Sequence, residues 1–83
     1  MEIKILPQPA GRLSRSVSAL FQKDNKWYYA DLSDCLDVGN ECMIFPANKN
    51  GEVTSWTEVY CNRESDEISE ENLLTCIKEF CEG

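Results

Sequence analysis

Cysteines are the residues of this chain best suited to chemistry, and their spacing limits which chemistry that is. The 83-residue sequence has no histidine and no Cys-x-x-Cys motif, and its five cysteines are Cys35, Cys42, Cys61, Cys76 and Cys81. Zinc sites usually combine close cysteine pairs with one another or with histidines, so we expect no metal site. Because a surplus of carboxylates opposes a lowered thiol pKa, we expect free thiols in a reducing compartment. A thiol-dependent redox or metal protein stays open as the third of three interpretations.

Other catalytic machinery is also missing from the sequence. Histidine, the commonest general base, does not occur, and no glycine-rich loop is present to cradle a phosphate. The carboxylate pairs Asp66-Glu67 and Glu70-Glu71 are explained as solvated charges and as the start of a helix. We therefore expect a protein that is not an enzyme, with no catalytic residue and no cofactor.

Charge is distributed very unevenly along the chain. Residues 1–30 carry five basic and two acidic side chains, whereas residues 31–83 carry three basic and thirteen acidic ones, for a net charge of −7. Such a field attracts basic surfaces to the acidic part of the molecule and repels polyanions. The basic residues of the first third are Lys4, Arg12, Arg15, Lys23 and Lys26.

That basic third, which adjoins Trp27, supports the second interpretation, a regulatory or nucleic-acid-associated subunit. Basic groups beside aromatic rings can bind single-stranded nucleic acid. However, the sequence pI of about 4.4 opposes the counterion release that drives such binding. We therefore expect nucleic acid not to be the partner.

A protein-binding surface is the function that the acidic and aromatic residues favour most. Tryptophan and tyrosine are enriched at interface hot spots, and carboxylates around them would steer a basic partner. The predicted partner-binding residues are Tyr28, Trp56, Glu58, Tyr60, Glu64, Asp66, Glu67, Glu70 and Glu71. We predict a protein-interaction module or small inhibitor that binds a basic partner surface. Two alternatives stay open: the aromatic residues close a second small core or a homodimer interface, or the 64–71 carboxylates mimic nucleic acid.

Alternating apolar residues predict the strands that would position these side chains. The predicted strands are 2–6, 14–22, 27–32, 41–46 and 52–62. In the second of them Val17, Ala19 and Phe21 share one face, which we expect to be buried. Trp27, Tyr28 and Tyr29 are contiguous, so at least one of these rings must point away from the main core.

Turn-forming residues separate the predicted strands. Prolines and glycine break the chain at 7–11, and the polar residues 23–26 predict a hairpin. The apolar residues of 33–40 recur at neither strand nor helix spacing, which favours a loop or a single helical turn. Asn50-Gly51 is the dipeptide that best suits the positive φ angles of a tight hairpin turn.

The C-terminal residues predict an amphipathic helix. Ser69 suits the N-cap, and Glu70 and Glu71 complement the positive end of the helix dipole. Leu73, Cys76, Ile77 and Phe80 recur at helical spacing and predict the buried stripe, which Leu74 and Cys81 would widen. Ile68, before the cap, can contact Leu73 as a hydrophobic staple.

Together these patterns predict one α+β domain over residues 1–83. Its expected architecture is a four- or five-stranded antiparallel sheet with one C-terminal helix packed on one face. The sequence contains no run of apolar residues long enough to span a membrane and no secretory signal. We therefore expect no membrane partner and a cytoplasmic location.

Two segments resemble a pattern in small uncharacterised acidic proteins of bacterial phages and mobile elements. They are Cys42-Met43-Ile44-Phe45-Pro46 and the 50–60 segment Asn-Gly-Glu-Val-Thr-Ser-Trp-Thr-Glu-Val-Tyr. Both lie within residues 42–60, so the resemblance covers about a quarter of the chain. It implies an accessory or host-interacting protein and assigns no site residue.

Overall fold

The computed structural model describes residues 2–6, 16–35, 39–65 and 67–82. Its elements are β1 (Ile3–Leu6), β2 (Ser16–Lys23), β3 (Lys26–Cys35), β4 (Gly39–Ala47), β5 (Tyr60–Ser65) and α1 (Glu70–Glu82). The predicted break at 7–11 lies outside the described residues, and so do Arg12 and Arg15.

The strands form an antiparallel meander in the order β1-β2-β3-β4-β5, with every strand beside its neighbours in sequence. Asp24 and Asn25 join β2 to β3 with φ angles of 53° and 65°. Left-handed conformations at both central positions define a type I′ turn, whose twist matches that of the flanking strands. The predicted hairpin is confirmed, and so is the predicted α+β fold, with five strands and one C-terminal helix.

The hydrophobic core lies between α1 and one face of the sheet. Its buried residues are Ala19, Phe21, Ala30, Leu32, Cys42, Ile44, Leu73, Cys76 and Ile77. Side chains alternate between the faces of a strand, and β2 contributes Ala19 and Phe21 to this core, both on the face that the sequence pattern predicted. Ser16, Ser18 and Leu20 are buried as well, on the opposite face of the strand. Val17 packs against the core cluster while staying partly exposed. We call this covered side of the sheet the helix face.

The start of α1 agrees with its sequence. The Ser69 hydroxyl oxygen accepts a hydrogen bond from the Asn72 amide at 3.1 Å, which satisfies one of the free N–H groups of the first turn. Ile68 packs against the core, as expected of a staple residue. Leu74 was wrongly placed in the buried stripe, because a step of about 100° from Leu73 turns it outward and leaves it 40% exposed.

A lysine from the sheet occupies the other end of α1. The last turn of the helix has no basic residue of its own. The ammonium group of Lys23, at the end of β2, donates to the Phe80 carbonyl oxygen at 3.4 Å and lies 4.7 Å from the centre of the Phe80 ring. A cation is favourable at a helix C-terminus and over an aromatic ring, so Lys23 fastens α1 to the sheet. Within the described residues no helix has the length and apolar character to cross a membrane.

The turn near Asn50-Gly51 forms, but in a different geometry from the one predicted. The Gly51 amide donates to the Asn48 carbonyl oxygen, and the Asn48 amide donates to the Glu52 carbonyl oxygen, both at 3.0 Å. Gly51 has a φ of 87°, whereas Asn50 has no positive φ. These bonds define a three-residue hairpin loop that ends in a left-handed glycine.

The predicted fifth strand over 52–62 is wrong for most of its length. After the turn the chain makes one isolated bridge, between Ala47 and Val53, and regular pairing resumes only at Tyr60. The Thr54 amide donates to the Pro46 carbonyl oxygen, but Pro46 has no N–H with which to complete the pair. The sheet therefore cannot continue regularly past this point.

Residues 55–58 leave the ladder there, and we call them the 55–58 bulge. The Val59 amide donates to the Ile44 carbonyl oxygen at 2.8 Å. On β4 only Phe45 separates Pro46 from Ile44, whereas residues 55–58 separate Thr54 from Val59. The bulge is therefore inserted into the sheet opposite Phe45.

The predicted loop over 33–40 is too long. β3 continues to Cys35, β4 begins at Gly39, and these two residues are paired. Residues 36–38 lie outside the described part of the chain. Gly39 has a φ of 84°, which is consistent with a sharp return of the chain at this position.

Candidate functional site

The three consecutive aromatic residues of β3 divide between the two faces of the sheet. Tyr28 packs against the core on the helix face. Tyr29 is paired with Leu20 of β2 and with Phe45 of β4, and it points to the opposite side, which we call the outer face. The expectation that at least one ring faces away from the core is confirmed.

Tyr28 and Tyr60 surround Phe80 on the helix face. Their ring centres lie 5.2 Å and 5.8 Å from that of Phe80, and Phe21 lies 5.5 Å from Tyr28. Contacts of this kind stabilise a core beyond the area that they bury. Two of the predicted binding residues therefore hold the C-terminal end of α1 against the sheet.

Tyr60 also has a polar contact with the helix. Its hydroxyl donates to a carboxylate oxygen of Glu79 at 3.2 Å. Burial raises the pKa of the Tyr60 hydroxyl above its usual value of 10.0, and the hydrogen bond and negative charge of Glu79 raise it further. The neutral hydroxyl is the form that this site favours.

Trp56 lies apart from both tyrosines. It belongs to the 55–58 bulge, and its ring meets the Phe45 ring edge-on at 5.2 Å between centres, on the outer face. It is 73% exposed, and Val59, which follows the bulge, is 48% exposed. Glu52 and Glu58 on the same connection are exposed as well. The structure therefore does not bring Trp56 together with Tyr28 and Tyr60. Trp56 and Glu58 lie together in the 55–58 bulge.

The predicted carboxylates near the start of α1 have a structural explanation. Glu67, Glu70 and Glu71 are exposed, and the last two lie in the first turn of the helix. The Asn72 side-chain amide donates to the Glu67 carbonyl oxygen at 2.7 Å, which ties the preceding segment to the helix. Because α1 covers the helix face, these carboxylates lie on the other side of the sheet from Trp56. Asp66 and the side chain of Glu64 lie outside what the structure describes.

The outer face carries a polar network that the sequence pattern does not predict. The Ser18 hydroxyl donates to an Asp31 carboxylate oxygen at 2.9 Å and accepts from the Tyr29 hydroxyl at 3.0 Å. Ser18 and Asp31 are paired across β2 and β3, so the strand register would have revealed the contact. Ser18 is not placed as a nucleophile, although Asp31 is its neighbour. Its hydroxyl already donates one hydrogen bond and accepts another, and the chain has no histidine to act as its base.

A cavity of about 400 Å³ opens on the outer face near the β2–β3 turn, and its lining bears on the nucleic-acid interpretation. Trp27 and Leu20 contribute apolar surface, and Lys4 and Lys49 bring positive charge. Glu2 and Asp24 line the same cavity, so the basic groups are balanced by carboxylates. Lys23, a further member of the basic third, is engaged with Phe80. The described basic residues do not form a uniformly positive surface.

Two of the described thiols, Cys61 and Cys81, lie beside carboxylates or in partly buried surroundings. The Cys61 thiol donates to a Glu41 carboxylate oxygen at 2.9 Å. Burial is the largest influence on Cys81 and raises the pKa of its thiol, which disfavours the reactive thiolate. Among the residues that the structure describes, no group of three or more histidine, cysteine, aspartate or glutamate side chains could hold a metal ion.

Comparison with family models, with curated proteins and with solved structures finds no match to this chain.

Proposed function

We propose that this protein is a non-catalytic protein-interaction module, or small inhibitor, that binds a basic surface of a partner protein through the 55–58 bulge. The observation that carries the proposal is Trp56, a tryptophan that is 73% exposed yet oriented by an edge-on contact with the Phe45 ring. Tryptophan is the residue type most enriched at binding hot spots. The proposal includes a cytoplasmic location and an accessory role in a phage or mobile element.

Charge supports a basic partner. Glu52 and Glu58 are exposed on either side of Trp56, and the whole chain has a net charge of −7. Peripheral carboxylates accelerate encounter with a positive surface, while a central aromatic residue supplies most of the affinity. In this proposal Trp56 and Glu58 keep their predicted roles, and Tyr28 and Tyr60 act in stability instead.

The test compares two variants with similar changes on different sides of the molecule. Tagged wild-type protein, Trp56→Ala and Leu74→Ala are used to capture partners from nuclease-treated host lysate, with elution over a salt gradient and identification by mass spectrometry. Leu74 is the matched control, because it is an exposed apolar residue of α1. We expect a partner that wild type and Leu74→Ala retain equally and that Trp56→Ala binds at least about 30-fold more weakly, the effect of a 2 kcal/mol hot spot.

Charge variants and solution size separate this proposal from its alternatives. Glu52→Gln with Glu58→Gln should shift elution of the partner to lower salt, whereas Glu70→Gln with Glu71→Gln should not. A partner captured equally well by Trp56→Ala would contradict the proposal. Capture that occurs only in a parallel lysate without nuclease treatment, and that depends on Lys4 and Lys49, would favour the nucleic-acid alternative. A wild-type dimer that Trp56→Ala converts to monomer would show that the bulge serves self-association.

A further inference from the structure

Of the four cysteines whose side chains the structure describes, two occupy a different environment from the others. Cys42 lies on the helix face of β4, directly across from Leu32 of β3, and is 0% exposed. Cys76 lies in the middle of the buried stripe of α1 and is 4% exposed. Both belong to the same core cluster, so one thiol from the sheet and one from the helix share a single apolar compartment.

The sulfur atoms of Cys42 and Cys76 approach each other across this compartment closely enough to form a disulfide. The remaining described thiols are placed differently. The Cys61 thiol donates a hydrogen bond to Glu41 on the outer face. Cys81 lies beyond Cys76, near the end of the helix. Among the described thiols the fold therefore selects one pair, and this pair joins the helix to the sheet.

We propose that Cys42 and Cys76 form an intramolecular disulfide under oxidising conditions, and that this bond fastens α1 to β4. The oxidant is a small-molecule disulfide such as oxidised glutathione. The thiolate of one cysteine attacks a sulfur of the oxidant and releases one molecule of its thiol, leaving a mixed disulfide. The thiolate of the second cysteine then attacks the protein sulfur of that mixed disulfide and releases the second thiol. The two protons lost by the cysteines end on the two released thiols, and the oxidant takes up two electrons.

Burial sets the kinetics of this reaction. In the folded protein neither sulfur is accessible to glutathione, so exchange requires α1 to separate briefly from the sheet or occurs during folding. Once the disulfide has formed, the same packing shields it from reducing thiols. Because opening of the helix is itself opposed by the bond, the oxidised protein should resist reduction for much longer than an exposed disulfide would.

The cysteines of this chain can be mapped one by one. Cleavage after glutamate separates all five onto different peptides, because Glu41 lies between Cys35 and Cys42 and Glu79 lies between Cys76 and Cys81. Purified protein is equilibrated with oxidised glutathione under native conditions, unfolded, alkylated, cleaved and analysed by mass spectrometry. We expect a loss of two hydrogens from the intact mass, a peptide that joins Cys42 to Cys76, and alkylation of the other three cysteines.

Matched variants make the result decisive. Cys61→Ala should still form the cross-link, whereas Cys42→Ala should not, and oxidation should raise the unfolding temperature of wild type and Cys61→Ala only. Should Cys42→Ala fail to fold, the peptide map of the wild type still decides the question. Alkylation of all five cysteines after equilibration, or a bond between any other pair, would overturn the proposal.

Discussion

Lys23 provides a direct test of how α1 is held against the sheet. Its ammonium group lies 3.4 Å from the Phe80 carbonyl oxygen and 4.7 Å from the centre of the Phe80 ring. Lys23→Met removes the positive charge and keeps an apolar side chain of similar length, so the packing of the stem is retained. We expect the variant to fold but to be less stable than the wild type.

The size of the loss follows from the two contacts. A cation near a helix C-terminus contributes about 0.3–1 kcal/mol, and a partly exposed cation over an aromatic ring contributes about 0.5–1 kcal/mol. The two contributions add to about 0.8–2 kcal/mol. Because Lys23 is partly exposed, solvent screens its charge, and we expect the free energy of unfolding to fall by about 1 kcal/mol. For a domain of this size each kcal/mol lowers the unfolding temperature by about 4–8 °C.

Lys26→Met is the matched control. Lys26 is exposed and lies directly across from Lys23 in the β2–β3 pair, so both variants change the net charge equally. Removing Lys26 relieves repulsion between like charges and should leave stability unchanged or slightly raised. Urea unfolding at low and at 1 M salt measures both variants, and the deficit of Lys23→Met should shrink at high salt. Equal unfolding free energies for the two variants would refute the role assigned to Lys23.

Two further predictions concern Tyr60 and the turn that precedes the bulge. The pKa of Tyr60 is raised in the folded state, so the unfolded chain loses this proton first as the pH rises through 10.0. The stabilisation from the neutral hydroxyl is therefore fully present below that pH and is lost as the pH rises towards the folded-state pKa. Urea unfolding from pH 8 to 11 should show a steeper decline for wild type than for Tyr60→Phe, and parallel curves would contradict this. Gly51→Ala should cost about 1–2 kcal/mol, since its φ of 87° strains an L-residue, while the new Cβ would meet Leu20 at an ordinary 3.8 Å. Asn50→Ala, at a position without positive φ, should cost much less in the same thermal unfolding measurement.

The fold was largely predictable because each element carries a local pattern that agrees with its partners. The β2–β3 hairpin has turn-forming residues between two alternating runs, and α1 has a capping serine before an apolar stripe. Neither depends on a distant contact to be recognised. The fold class needed only the order of the elements, since a run of strands followed by one helix has few ways to bury its apolar faces.

The fifth strand was mispredicted because alternation is necessary for a strand but not sufficient. Residues 53–61 alternate as a strand would, yet pairing also needs N–H groups on the neighbouring strand. Pro46 lacks that donor, and its effect on residues 54–59 becomes visible only when the register of β4 is known. The separation of Tyr28 and Tyr60 from Trp56 could not be predicted for a related reason. Both tyrosines are partly buried against Phe80, which lies near the C-terminal end of the sequence.

The 55–58 bulge, which interrupts the predicted fifth strand, also holds Trp56 in an orientation that suits binding. A tryptophan on a free loop would lose side-chain and backbone entropy when a partner ordered it. Here the bulge is closed at one end by the Thr54–Pro46 bond and at the other by the Val59–Ile44 bond, and the ring is oriented by Phe45. About three quarters of the Trp56 surface is still available. Burying it would contribute roughly 3–4 kcal/mol at about 25 cal/mol per Å², with little of that gain spent on ordering the loop. A sheet that holds its helix on one face and an oriented, exposed tryptophan on the other can therefore bind without rearranging its core.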